Sequence, residues 1–262
     1  MTVLFLHGVA GSRRTYDWLP DAIAGQAVMR VDFRGHGAAA RTPGAYLIRD
    51  YANDAVEVLR EIGPAFVVGH SLGGVAAWWA AQLVPELVLG AVLEDPPLYL
   101  GSAEGHASNG AIPHFRHLHE ISPAWQAEGV AEPVAAQRLA EEAYGPDPSR
   151  SMRSVATSEA LAARAYALLH LDPSVLDTVI DGTLLAATDV AAPMTVPMTI
   201  IAADDALGAA FTSAHEARLS LSHPHVSVER VRGAGHSIHD ERAHRDTYLA
   251  EVTAFLAKRT ST

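Results

Sequence analysis

Three short stretches, far apart in the chain, carry residue types suited to acyl transfer. Gly69-His70-Ser71-Leu72-Gly73-Gly74 has the G-x-S-x-G spacing and follows the apolar run Phe66-Val67-Val68. A serine so placed sits on a sharp strand-to-helix turn that lifts its hydroxyl above a sheet. Such a turn needs neighbours without bulk, so Gly69 and Gly73 stand where side chains would collide and Gly74 lets the next helix pack closely. That helix is read over Val75–Ala81, ending before Pro85, and its first amides point at a developing negative charge. A second stretch, His7-Gly8-Val9-Ala10-Gly11-Ser12, runs straight out of the apolar strand Val3–Leu6 and forms a loop able to donate another amide. In the third, the alternating Val226–Val231 leads into Gly233-Ala234-Gly235-His236-Ser237, which hangs an imidazole beside the serine. Two places offer a carboxylate to orient that imidazole: Asp95, in Glu94-Asp95-Pro96-Pro97, and the pair Asp204 and Asp205. Only one is required, buried at His236 Nδ1, to hold the tautomer and stabilise the imidazolium. Either carboxylate could instead fix a turn.

The elements that must position these residues alternate between strand and helix. Thr15–Ala24 reads as a short helix and Val28–Asp32 as a strand. Arg49–Ile62 has apolar positions at Tyr51, Ala55, Val58, Leu59 and Ile62, a helical spacing. Further strands are read at Leu87–Leu93 and Met198–Ala202, and a closing helix over Ala243–Lys258. This alternation argues for a mainly parallel sheet with helices on both faces. Between Pro96 and Pro197 the rhythm changes to alanine-rich helical stretches, Pro133–Tyr144 and Ser154–Leu171. An insertion this long is expected to have structure and purpose, here a lid over the site. Its Leu98, Tyr99, Phe115, Trp125 and Tyr144 either line an apolar pocket or form the insertion's own core.

With Asp32-Phe33-Arg34-Gly35-His36-Gly37 added, the motifs resemble those of α/β-hydrolase-fold serine hydrolases over nearly the whole chain. The resemblance implies an α/β class protein of α/β-hydrolase fold, with residues 1–96 and 197–262 as core and 97–196 as a helical cap. It implies Ser71 as nucleophile, His236 as general base, and the amides of Val9 and Leu72 as oxyanion hole. Most members carry the acid where Asp204 and Asp205 stand, but Ala203-Asp204-Asp205-Ala206 lacks their glycine-led turn. A minority, including haloalkane dehalogenases and zearalenone-type lactonases, carry it at the position of Asp95, and the lactonases' later strand departs from the acid-bearing turn much as this one does. Asp95 is therefore the expected acid, with Asp204 or Asp205 the alternative. The family's two extra strands before the His-Gly loop are missing, so a sheet edge is expected to need covering. The implied reaction is cleavage of an ester or lactone bond in an apolar small molecule through an acyl-enzyme, a zearalenone-like lactone among the options. Relatives with the same three residues cleave carbon–carbon bonds or amides, and a few are non-catalytic receptors. An intact Ser71 and His236 favour turnover, and a serine at the elbow argues against halide displacement, which needs a carboxylate nucleophile.

Composition narrows the setting. A chain of 262 residues, 49% hydrophobic, can bury a large core. A formal net charge of −11 disfavours nucleic acid and anionic membranes as partners. The absence of cysteine removes disulfides and a thiol nucleophile. No apolar stretch approaches the roughly 20 residues that span a bilayer, and the N-terminus does not resemble a signal peptide. A soluble cytoplasmic protein is expected, with a homodimer left open. Among 14 histidines, His114, His117 and His119 cluster near His106 without any metal-ligand spacing, so exposed loop histidines and no metal site are expected. No dinucleotide fingerprint or phosphate loop suggests a cofactor. His7 is expected to brace its loop and His70 to line the pocket, and His239 is the chief rival to His236 as base.

Overall fold

A computed structural model describes residues 1–145 and 147–260. From the N-terminus, strand β1 (Thr2–Leu6) leads through a 3₁₀ turn, Arg13–Tyr16, to β2 (Ala22–Ile23) and β3 (Gln26–Val31). Helix α1 (Ile48–Ile62), β4 (Ala65–His70), α2 (Leu72–Leu83) and β5 (Val88–Glu94) follow. An insertion then builds α3 (Ala103–Ala107), α4 (Ile112–Glu128), α5 (Glu132–Ala140), the hairpin β6 (Ala143–Tyr144) and β7 (Asp147–Ser151), α6 (Met152–Val155), α7 (Ser158–Leu169) and α8 (Ser174–Ile180). The chain returns through β8 (Met198–Ala202), α9 (Ser213–Ser222), β9 (Ser227–Arg230) and α10 (Arg245–Thr260).

Seven strands form one sheet in the order β2-β3-β1-β4-β5-β8-β9. All neighbours pair in parallel except β2, which lies antiparallel on β3 and finishes that edge with two residues. Apolar runs without polar alternation suit a sheet buried on both faces, and β1 shows how the two layers divide. Leu4 and Leu6 join Val67, Leu93 and Ile200 in a core shared with α1 and α2, whereas Val3 and Phe5 join Phe66, Val68, Val92 and Ile201 under α10. In the inserted helices, α4 packs on α7 and α8, and α7 packs on α5 and on the Arg13–Tyr16 turn.

Besides shifts of a few residues at the ends of other elements, three expected helices differ from the sequence reading. Thr15–Ala24 is not a helix: Pro20 follows the short 3₁₀ turn and the chain then pairs with β3. Pro133–Tyr144 is helical only to Ala140, because Ala143 and Tyr144 pair with β7. Ser154–Leu171 is broken at Ala156, which leaves the helix to bridge Glu241. Of the insertion's aromatic and apolar residues, Leu98, Tyr99, Trp125 and Tyr144 are buried, and Phe115 is half-buried against the same core.

Candidate active site

The elbow is built as the glycine pattern requires. Ser71 holds φ 51°, left-handed backbone that a residue with a Cβ adopts only at a cost of about 1–3 kcal/mol. A Cβ on Gly69 would lie 2.2 Å from the Gly73 carbonyl oxygen, and one on Gly73 2.2 Å from that of Leu6, so backbone itself fills the space a side chain would need. Gly74 meets Pro96 Cβ at 3.0 Å on the same test. Leu72 opens α2, where helix geometry leaves the first N–H groups without an intrahelical acceptor. Gly8 brings the His-Gly loop onto the elbow, since a Cβ there would lie 3.2 Å from Ser71 Cβ. In this loop Gly11 donates to the Gly8 carbonyl at 3.0 Å and Ala10 to His36 Nε2 at 3.3 Å.

Two buried neutral histidines brace that loop. Phe33 N–H donates to His7 Nε2 at 3.1 Å, so the ring proton sits on Nδ1 and is donated to the Gly8 carbonyl at 2.8 Å. His36 repeats the pattern, donating from Nδ1 to the Arg34 carbonyl at 2.9 Å while accepting from Ala10. Burial pushes His7 down to about 4 and His36 to about 3, partly opposed by these backbone bonds. The Asp32–Gly37 loop is thereby fastened to the His-Gly loop by two uncharged rings.

The candidate acids separate sharply. Asp95 is fully buried and its φ of 41° turns the chain sharply off β5. Its Oδ1 accepts the amides of Ala203 at 3.2 Å and Phe211 at 3.1 Å. Its Oδ2 accepts Ala210 N–H at 2.7 Å and lies 2.6 Å from His236 Nδ1. A carboxylate oxygen only accepts, so the proton rests on Nδ1 and leaves Nε2 free to act as a base. Asp204, by contrast, caps the turn Asp205–Leu207 and accepts Gly233 N–H at 2.8 Å, its carboxylate held low by these backbone bonds. Asp205 pairs with Arg230 at 2.8 Å. Asp204 thus ties the end of β8 to the Gly233 turn and Asp205 ties it to β9 and α9, and neither carboxylate bonds the His236 ring.

Ser71 and His236 belong to the same end of the sheet. The His70 ring stands 4.8 Å from that of His236, and His70 Nε2 donates to the His236 carbonyl at 3.1 Å. Burial and the neighbouring His236 and His239 push His70 well below the usual histidine range. His239, the rival base, is sealed off and bonded through Nδ1 to Glu94 at 2.7 Å. His70, Glu94 and His239 are the grouping of potential metal ligands among the described residues, with donor atoms within 4.8 Å. Both Glu94 oxygens are already taken, by His239 N and Nδ1. His114, His117 and His119 lie on helix α4 rather than on a loop, and His117 and His119 pair with Glu142 at 3.0 Å and Asp177 at 2.9 Å.

Sequence reasoning passed over Glu94 and Arg164. Glu94 is the neighbour of Asp95, and Arg164 stands alone among alanines in α7, a pattern in which a cation is notable.

The chain belongs to the alpha/beta hydrolase family, whose sequence model matches residues 3–248. It is similar to the esterase Rv0045c of Mycobacterium tuberculosis, 35% identical over 48% of this chain and 43% of that protein. It is also 30% identical to 2-(acetamidomethylene)succinate hydrolase of Mesorhizobium japonicum, over 63% of this chain and 62% of the relative. The chain thus spans less than two thirds of the length of these curated relatives. Among solved structures, Est816, an N-acyl homoserine lactone degrading enzyme, superposes with a TM-score of 0.67 at 22% identity, covering 96% of this chain and 92% of that one. The enol-lactonase of Burkholderia xenovorans LB400 gives 0.68 at 18% identity, covering 97% and 90%.

Proposed function

We propose that the protein is a serine hydrolase that cleaves an ester or lactone bond in a small apolar molecule through an acyl-enzyme. The observation that carries this reading is the Asp95–His236 bond of 2.6 Å, which fixes the imidazole in the tautomer a base requires beside a serine on a strained elbow. His236 Nε2 takes the Ser71 proton as the hydroxyl attacks the carbonyl, and the Val9 and Leu72 amides receive the oxyanion. The imidazolium then protonates the leaving alkoxide. Water activated by the same histidine hydrolyses the acyl-enzyme and returns the proton to Ser71. In a lactone the leaving group stays tethered, so hydrolysis must outrun ring closure. The names of the similar proteins, an esterase and hydrolases of lactone and amide-bearing compounds, support this class of chemistry.

The test is a hydrolysis panel of p-nitrophenyl esters, long-chain esters and macrocyclic lactones, run beside fluorophosphonate labelling. Wild-type protein is expected to show burst kinetics and a single labelled serine, and Ser71→Ala to lose both. An unreactive Ser71 in folded protein, with no turnover of any ester or lactone, would point instead to a receptor.

A further inference from the structure

Behind Ser71, His236 and Asp95 lies a set of ionisable groups that the mechanism above does not use, three of them buried and the fourth, Arg164, half-buried. Glu94 is fully buried at the end of β5, its Oε1 accepting the His239 backbone N–H at 3.0 Å and its Oε2 the Nδ1–H at 2.7 Å. Burial works against a charge on His239, but the attraction of Glu94 and Asp240 outweighs it and the pKa is raised. His239 Nε2 lies 3.3 Å from Asp240 Oδ1, an ion pair without hydrogen-bond alignment. Asp240 Oδ2 in turn accepts from Arg164 Nε at 2.9 Å, and Arg164 Nη2 donates to Ser237 Oγ at 2.9 Å. Burial opposes both of these charges as well, yet Asp240 is held low by His239 and Arg164, and Arg164 is held high by Asp240. Two carboxylates thus alternate with an imidazole and a half-buried guanidinium, each beside a group of complementary character.

The placement of these groups along the chain gives them a role. Glu94 precedes Asp95, His70 precedes Ser71, and Ser237 follows His236. His70 holds the His236 carbonyl, and its ring stands 4.9 Å from His239. Each of the three reacting residues therefore has a covalent neighbour in this network. Arg164 is the member that comes from the insertion, on α7. The same segment is joined to the histidine loop through backbone: Thr157 donates to the Asp240 carbonyl at 3.1 Å, and Arg242 to that of Val155 at 3.0 Å.

Resting on the serine-hydrolase reading, we infer that Arg164 is a positioning residue that holds the His236 loop from the inserted helix, through Ser237 and Asp240. Helices α6 and α7 are then a fixed wall of the site, not a door that swings open. Substrate must reach Ser71 past other parts of the insertion. Arg164 touches no reacting atom, so its effect falls on the chemical step and not on binding.

The test compares Arg164→Met, Arg164→Lys and the double variant Arg164→Met/Asp240→Asn, which leaves no orphaned charge. Turnover of an ester that the wild type hydrolyses is measured together with the melting temperature and the low-field ¹H resonance of the His236 Nδ1 proton. Arg164→Met is expected to lower kcat roughly 10- to 100-fold with little change in KM, as for small misplacements of a reacting group. The double variant keeps the kcat loss while recovering stability, because removing both partners of a buried pair is far less costly than removing one. Lysine restores kcat in part, since an ammonium supplies the charge without the two-pronged geometry. The low-field resonance broadens or moves in the methionine variants. A folded double variant with wild-type kcat and an unchanged resonance overturns the inference. If the wild type turns over no ester and takes no fluorophosphonate, the hydrolase reading fails by itself, and the resonance still decides whether Arg164 holds the loop.

Discussion

Asp95→Asn separates the charge of the proposed orienting acid from its shape, and the contacts around it dictate the result. The new NH₂ must take the place of one carboxylate oxygen. At Oδ1 it would oppose two backbone donors, Ala203 and Phe211; at Oδ2 it would oppose one, Ala210, while offering a proton to His236 Nδ1. A buried donor left unpaired costs about 1–3 kcal/mol, so the amide takes the second orientation and the fold weakens by about that much. There His236 Nδ1 becomes an acceptor, the ring proton moves to Nε2, and the histidine can no longer receive the serine proton. The same wrong-tautomer substitution in a serine protease, the general reference case, costs about 10⁴ in kcat, and a loss of about that size is expected here. Steady-state kcat on a p-nitrophenyl ester and a thermal melt, run beside Asp204→Asn, measure both effects. Asp204 is half-buried and bonds the amides of Ala206 and Gly233, not the His236 ring, so its variant should lose less than about tenfold in kcat, far below the loss from Asp95→Asn. If Asp95→Asn retains more than about a hundredth of wild-type kcat, or if Asp204→Asn suffers the larger loss, the tautomer reasoning is wrong.

Two further outcomes follow from the His-Gly loop. Gly8→Ala sets a Cβ 2.7 Å from His70 Nδ1 and 3.2 Å from Ser71 Cβ, so the elbow must shift; kcat/KM should fall about 10- to 100-fold in protein that still folds by circular dichroism, and wild-type kinetics would refute the close approach. In acid, His7 and His36 should destabilise the fold. Their folded-state values, about 4 and about 3, lie below the unfolded value of about 6.5, so the unfolded chain binds protons first. Stability is therefore whole above about pH 6.5 and declines as pH falls to the folded values, on the order of 3 kcal/mol for His7 alone. His239, with its raised pKa, acts in the opposite sense, its stabilisation present below pH 6.5 and lost as pH rises through the folded value. The melting temperature should fall between pH 7 and pH 4.5 (values set by these shifts) and fall less in His36→Gln, whose amide can replace both ring contacts. A flat profile over that range would count against buried neutral rings.

What the chain discloses unaided is whatever rests on local sterics and period. The elbow was legible because only glycine fits at positions 69 and 73, and the family follows from it. Strand β8, Met198–Ala202, appears at its full length because a continuous apolar run has one stable home in a buried parallel sheet. The two-residue β2 carries no pattern of its own and exists only because β3 offers it an edge. The break at Ala156 depends on Glu241, far along the sequence. Resemblance favoured Asp95 over Asp204 and Asp205, but the contacts that bring it to His236 are not in the sequence. They require β5 to lie beside β8, so that the amides of Ala203, Ala210 and Phe211 converge on the carboxylate that leaves β5 at a positive φ. Arg164 and its buried partners belong to the same class: residue type and spacing express chemical capacity, but which charges meet in a low-dielectric interior is set by packing between segments, and only the folded chain decides that.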